Sequence, residues 1–162
     1  MKTGKNDYIC GYVCPPGMPC GESGRRVNRN ILKLLRLMKP IVTSAAPAAI
    51  GPYSQAIEVN GFVYASGQLP IDPATGAFPE GGVQEQTRQS LLNVKAILEE
   101  AGLTLANVVK TTVYLADMGD FAAMNEIYSQ FFSQPFPARS AVAVKALPKG
   151  ALVEVEVIAA RG

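Results

Sequence analysis

Apolar and small residues recur at spacings of three and four along one segment: Val83, Thr87, Ser90 with Leu91, Val94, Ile97 with Leu98, and Ala101. That period predicts an amphipathic helix over Val83–Ala101 with one buried stripe, and Gly102 supplies its stop. A second stripe, Phe121, Met124, Ile127 with Tyr128, and Phe131 with Phe132, predicts a helix over Met118–Phe132. Gln134-Pro-Phe-Pro137 ends it, because a residue before proline disfavours helical backbone. Elsewhere the period is two. Asn107–Leu115 reads as a strand with Val109, Thr111, Val113 and Leu115 on one face and Val108, Lys110, Thr112 and Tyr114 on the other. Leu152–Ala160 alternates Val153, Val155 and Val157 against Glu154 and Glu156. Ser140–Ala146 and Ile41–Ser44 are shorter β-prone runs. Tyr53–Val59 and Phe62–Ser66 flank Asn60-Gly61, a strong hairpin signal. Gly67–Gly82, with Pro70, Pro73, Pro79, Gly76 and Gly81, reads as a long loop of the kind that often carries function.

The predicted order is β, β-hairpin, α, β, α, β, β: an α+β layer fold with both helices on one face of a sheet of about six strands. The other sheet face then lacks a cover, and a homo-oligomer is expected to supply one.

Composition narrows the chemistry. The chain has 162 residues, is 48% hydrophobic and 17% charged, and contains no histidine. That excludes Ser-His-Asp and Cys-His catalysis, histidine-ligated metals and a histidine proton shuttle. No run of about 18 uncharged apolar residues is present, so no spanning helix is expected. Charge divides the chain. Residues 1–38 hold seven basic and two acidic groups, a net of +5, whereas 39–162 hold eight basic and eleven acidic, a net of −3. Cys10, Cys14 and Cys20 also fall in the first part, which is broken by Pro15, Pro16 and Pro19. The boundary is placed at Met38. The C-x3-C-x5-C spacing lacks a fourth metal ligand and a CxxC pair. Residues 1–37 have some transit-peptide character. The simpler expectation is a disordered basic leader or upstream extension, with Met38 the natural start.

Few side chains of the body can carry chemistry. Glu154 and Glu156 share a strand face, as a water-facing pair or as a general acid or base. Arg139, between Phe136-Pro-Ala and an apolar strand, is a surface arginine or a fixed fork for a carboxylate. Tyr53 after Gly51-Pro52, Ser66 before Gly67, and Asn125 on the second helix are each weak alone.

Together these segments resemble a known family. Gly51-Pro-Tyr-Ser-Gln55, Ala65-Ser-Gly-Gln-Leu-Pro70, Gln89-Ser-Leu-Leu-Asn-Val94, Val109-Lys-Thr-Thr-Val113, Asn125-Glu-Ile-Tyr128, Phe136-Pro-Ala-Arg-Ser-Ala-Val142, Leu147-Pro-Lys-Gly150 and Val153-Glu-Val-Glu156 resemble the RidA (YjgF) family, in order, over residues 39–162. The resemblance implies a chorismate-mutase-like α+β fold with a mixed sheet. It also implies a homotrimer with sites between subunits. It further implies hydrolysis of 2-enamino and 2-imino acids such as 2-aminoacrylate to 2-keto acids and ammonia, without a cofactor or metal. Such intermediates escape from pyridoxal-phosphate enzymes, which the reaction would protect, and a cytoplasmic setting is expected. Arg139 matches the family's carboxylate-binding arginine and Glu154 the glutamate thought to hold the attacking water. Tyr53, Ser66, Asn125 and Ala141 match substrate-binding positions. Ala141 departs from the many bacterial members that carry cysteine there, which excludes a thiol nucleophile and puts rate and substrate preference in doubt. Two other classes compete: an endoribonuclease or translation inhibitor, disfavoured by a net −3 body without histidine, and a module that binds small carboxylates or a protein without turnover. Neither nucleic acid nor membrane is an expected partner.

Overall fold

The structure, a computed structural model, describes residues 38–162. The leader with its three cysteines lies outside the described residues. The elements are β1 (Lys39–Ile41), β2 (Ala56–Val59), β3 (Phe62–Gln68), α1 (Val83–Glu100), β4 (Val108–Leu115), α2 (Phe121–Phe131), β5 (Ala138–Ala143) and β6 (Val153–Ala160). They form one six-stranded mixed sheet in the order β1-β2-β3-β6-β4-β5. Every pairing is antiparallel except β4 with β5.

Local chemistry explains the main boundaries. Asn60 and Gly61 both adopt positive φ, 52° and 79°. This is the backbone a two-residue hairpin turn demands, and it sets the β2–β3 register. At the start of α1 the Gly82 N–H donates to Glu85 Oε2 at 3.1 Å. At its end Gly102 turns left-handed, and the Leu103 N–H bonds back to the Leu98 carbonyl at 2.8 Å. Met118–Asp120 is a separate 3₁₀ turn rather than part of α2. There the Asp117 carboxylate accepts from the Gly119 N–H at 2.8 Å, competing with helical pairing.

Both helices lie on the sheet face that carries Val63, Val153, Val155, Val157, Val113 and Leu115. Burying a side chain of this size contributes about 1.5–3 kcal/mol, so this layer is the main source of stability. The expected stripes are buried along α1 and, for Met124, Ile127, Tyr128 and Phe132, at α2. Val109 is a correction. The expected alternation put it on one face with Thr111, which is the core face in the structure. Instead Val109 is 46% exposed and Val108 is buried. The cause is a bulge: Val108 pairs with Ala159 and Lys110 with Ile158, leaving Val109 as the extra residue. Strand alternation survives only from Lys110 onward.

The opposite sheet face has no helix. It presents Phe62 and Tyr64 of β3, Glu154, Glu156 and Ile158 of β6, Tyr114 of β4 and Val142 of β5. Phe62, Tyr64 and Val142 are exposed. Among the described residues no helix is long and apolar enough to cross a membrane.

Candidate functional site

The sequence candidates separate into two groups on opposite faces of the sheet. Tyr53, Ser66 and Glu154 line one cleft of about 830 Å³, together with Gly67 and Lys149. Arg139, Asn125 and Ala141 lie outside it. The register states the separation. Arg139 pairs with Thr111, and Glu154 pairs with Tyr114. Thr111 and Tyr114 are three apart on one strand, so they point to opposite faces.

The cleft owes its shape to buried amides. The Gln55 side chain accepts from the Thr43 N–H at 2.8 Å and donates to the carbonyls of Thr43, Ala46 and Pro47. It thereby folds the loop after β1 into a wall. Asn93, buried in α1, donates to the carbonyls of Leu69 and Ile71 at 3.0 and 2.9 Å and pins the long loop that forms the facing wall. The Ser66 hydroxyl donates to the Ser54 carbonyl at 2.7 Å, leaving its lone pairs as acceptors. The Tyr53 hydroxyl accepts from the Ile50 N–H at 3.3 Å.

Glu154 reaches into this cleft beside Gly67. A Cβ at position 67 would lie 2.8 Å from the Glu154 carboxyl carbon and 3.0 Å from its Cγ. Gly67 does not have a positive φ, so what a Cβ would meet here is the Glu154 side chain and not a backbone restriction; a larger residue would displace that carboxyl. Burial pushes the Glu154 carboxyl above the usual carboxylate range, and the charge of Glu156 two residues along adds to the shift. Burial likewise raises the Tyr114 phenol, with Glu156 contributing. Lys149 lines the same cleft with φ 57°, a left-handed conformation rare for lysine.

Arg139 stands at the edge strand β5 on the helix-covered face. Its Nη1 donates to Asn125 Oδ1 at 2.8 Å. Its guanidinium carbon lies 4.5 Å from the ring centre of Tyr128 and 5.5 Å from that of Phe121. Asn125 thus acts on the arginine, not in the cleft. Ala141 is on the same face of β5, opposite Val113 and packed against the core.

Gln55, Gly67, Asn93 and Lys149 were not singled out as site residues. Asn93 had a signal: a polar side chain set into the apolar stripe of a helix. Gly67 had none, since only the Glu154 side chain on the neighbouring strand reveals what a larger residue would displace. Among the described residues no group of three or more acidic or cysteine side chains is placed to hold a metal ion.

Known proteins resemble this chain in sequence and in fold. Residues 43–161 match a family model described as Endoribonuclease L-PSP. The 2-iminobutanoate/2-iminopropanoate deaminase of Capra hircus is 55% identical over 122 residues, covering 75% of this chain and 89% of that protein. The crystal structure of TdcF from E. coli with bound serine superimposes with a TM-score of 0.73 at 47% identity, covering 76% of this chain and 99% of its own. RidA from an Antarctic Psychrobacter species gives a TM-score of 0.73 at 50% identity, with the same coverages. On sequence and fold alike, the chain belongs to the RidA family.

Proposed function

We propose that the protein hydrolyses 2-imino and 2-enamino acids, such as 2-iminobutanoate and 2-aminoacrylate, to 2-keto acids and ammonia. The observation that carries the reading is a cleft carboxylate held above its ordinary pKa, together with an arginine that lies over an aromatic ring with one N–H bonded to Asn125 and further donors left for a ligand. The mammalian relatives carry the name of this activity.

The chemistry asks little more. The substrate is a small carboxylate bearing a C=N carbon. Arg139 holds the carboxylate by a bidentate, charge-assisted pair. Water adds to the imine carbon, Glu154 takes its proton, and the nitrogen is protonated to give a carbinolamine. Collapse of that carbinolamine breaks the C–N bond, leaving the keto acid and ammonia. Burial makes the Glu154 carboxyl a better proton acceptor than an exposed carboxylate, so it can take that proton and return it. Tyr53 and Ser66 orient the substrate by their hydroxyls. Ala141 leaves no thiol at this position, so water is the nucleophile.

One chain cannot bring Arg139 and Glu154 to the same substrate, because the sheet lies between them. A second copy can. The open sheet face, with exposed Phe62, Tyr64 and Val142, supports packing of copies as a homotrimer, each site taking Arg139 from one subunit and Glu154 from its neighbour. In the cytoplasm such an enzyme would clear the imines that pyridoxal-phosphate dehydratases release. The ribonuclease reading has less support, since the described body carries neither histidine nor a basic excess.

The test is keto-acid formation from 2-iminobutanoate generated in place by a threonine dehydratase. The expected result is a rate well above spontaneous hydrolysis and proportional to added protein. No acceleration contradicts the reading.

A further inference from the structure

We infer that Tyr128 is the positioning residue of the carboxylate anchor: its ring, held in the core against Phe132, fixes where Arg139 presents its guanidinium. This rests on the reading of Arg139 as that anchor. An arginine on an edge strand ordinarily samples many rotamers, and each must be frozen when a ligand binds. Here the side chain is restrained from three sides. The Tyr128 ring lies 4.5 Å from the guanidinium carbon, the Phe121 ring 5.5 Å, and Asn125 Oδ1 takes one Nη1 hydrogen at 2.8 Å. Stacking on an aromatic face leaves the in-plane N–H donors of a guanidinium free for a carboxylate.

Tyr128 is itself fixed. It is buried, its ring packs 4.5 Å from that of Phe132, and its hydroxyl shares a 2.9 Å hydrogen bond with the Thr111 hydroxyl. Thr111 is fully buried and is the register partner of Arg139 across the β4–β5 ladder. The contacts therefore close a circuit: backbone from Arg139 to Thr111, hydroxyl from Thr111 to Tyr128, ring from Tyr128 back to the Arg139 guanidinium. The Thr111 bond satisfies a hydroxyl that burial would otherwise leave unpaired; the guanidinium over the ring is the contact that a core role alone does not call for.

The experiment uses 2-oxobutanoate, the product carboxylate, as probe, with parent, Tyr128→Leu and Tyr128→Phe proteins checked for folding by circular dichroism. Binding is titrated by calorimetry. The Arg139 Nε–H resonance is followed by NMR with labelled arginine and assigned by its loss in Arg139→Lys. In the parent that resonance is expected to lie upfield, shifted by the ring current, and to move when 2-oxobutanoate is added. Tyr128→Leu should return it to the position of a free arginine and weaken binding about tenfold. With an imino substrate the loss should fall on KM more than on kcat. Tyr128→Phe keeps the ring, so it should keep the shifted resonance and lose no more than about threefold in affinity.

A folded Tyr128→Leu that binds like the parent overturns the inference, as does an unshifted resonance in the parent, or a parent that does not bind 2-oxobutanoate. Should Tyr128→Leu fail to fold, Tyr128→Phe decides. Retained shift and affinity support the ring's role, and a loss as large as that of Arg139→Ala refutes it. A parent that binds 2-oxobutanoate through Arg139 yet leaves imines untouched removes the deaminase reading and leaves this inference standing.

Discussion

Around Arg139 the neighbouring side chains hold the functional group itself; around Glu154 they hold the walls. The guanidinium lies over the Tyr128 ring and is bonded to Asn125. The cleft is shaped by Gln55 and Asn93, whose hydrogen bonds go to loop carbonyls. Glu154 is set instead by exclusion: burial, the charge of Glu156, and the absent side chain of Gly67. The difference fits the tasks proposed for the two groups. A carboxylate anchor must present a fixed geometry to a ligand of constant shape. A proton-transfer group must both take and give a proton, and partial desolvation raises its pKa without a partner that would lock it in one charge state.

The largest effect is expected from breaking the anchor. Arg139→Ala removes a charge-assisted pair from a partly desolvated contact, costing about 2–5 kcal/mol in kcat/KM. Arg139→Lys should restore little, because an ammonium cannot reproduce the fork. Steady-state kinetics on generated 2-aminoacrylate reads both.

Glu154→Gln keeps the shape of the cleft and removes its basicity. If Glu154 takes the proton, kcat should fall about 10²-fold or more; a residue that only positions water would lose less than about tenfold. The same variant has a second readout. The folded-state pKa of Glu154 lies above its unfolded value, so the neutral form is the one the fold favours. The stability this brings is present below the ordinary carboxylate range and lost as pH rises through the raised pKa. Glu154→Gln is therefore expected to melt above the parent at neutral pH and together with it near pH 3, as scanning calorimetry would show.

A smaller and sharper effect is expected at Gly67. Gly67→Ala places a methyl where the Glu154 carboxyl sits, so the carboxylate must swing away. Activity should fall about tenfold, comparable to misplacing a catalytic group by part of an ångström. Pairing the change with the shorter Glu154→Asp should recover part of the loss, whereas Glu154→Asp alone should not gain. If Gly67→Ala is silent, the close approach does not set the position of Glu154.

Much of this was legible in the chain. The α1 stripe from Val83 to Ala101 and the alternation of Val153, Val155 and Val157 with the glutamates are both set by local periods, and both recur in the fold. What local periods cannot carry is the relation between strands. Arg139 and Glu154 each read as a candidate, but the faces they take relative to each other depend on β4 pairing parallel with β5 and antiparallel with β6. Val109 failed for a related reason. A bulge depends on the partner strand, and nothing in Asn107-Val-Val-Lys110 announces it. Gly67 falls within the Ala65–Pro70 motif, yet what its missing side chain makes room for is visible only with Glu154 beside it.

The central claim is that the two regions meet between copies, and subunit complementation tests it most directly. Arg139→Ala and Glu154→Gln proteins, each nearly inactive alone, are unfolded together in equal amounts and refolded. If each site takes its arginine from one subunit and its glutamate from the next, random assembly leaves both groups intact in about a quarter of the sites, and activity should recover to about that fraction of the parent. Activity that stays at the mean of the two separate variants, with mixed assemblies verified by mass spectrometry, would contradict the account.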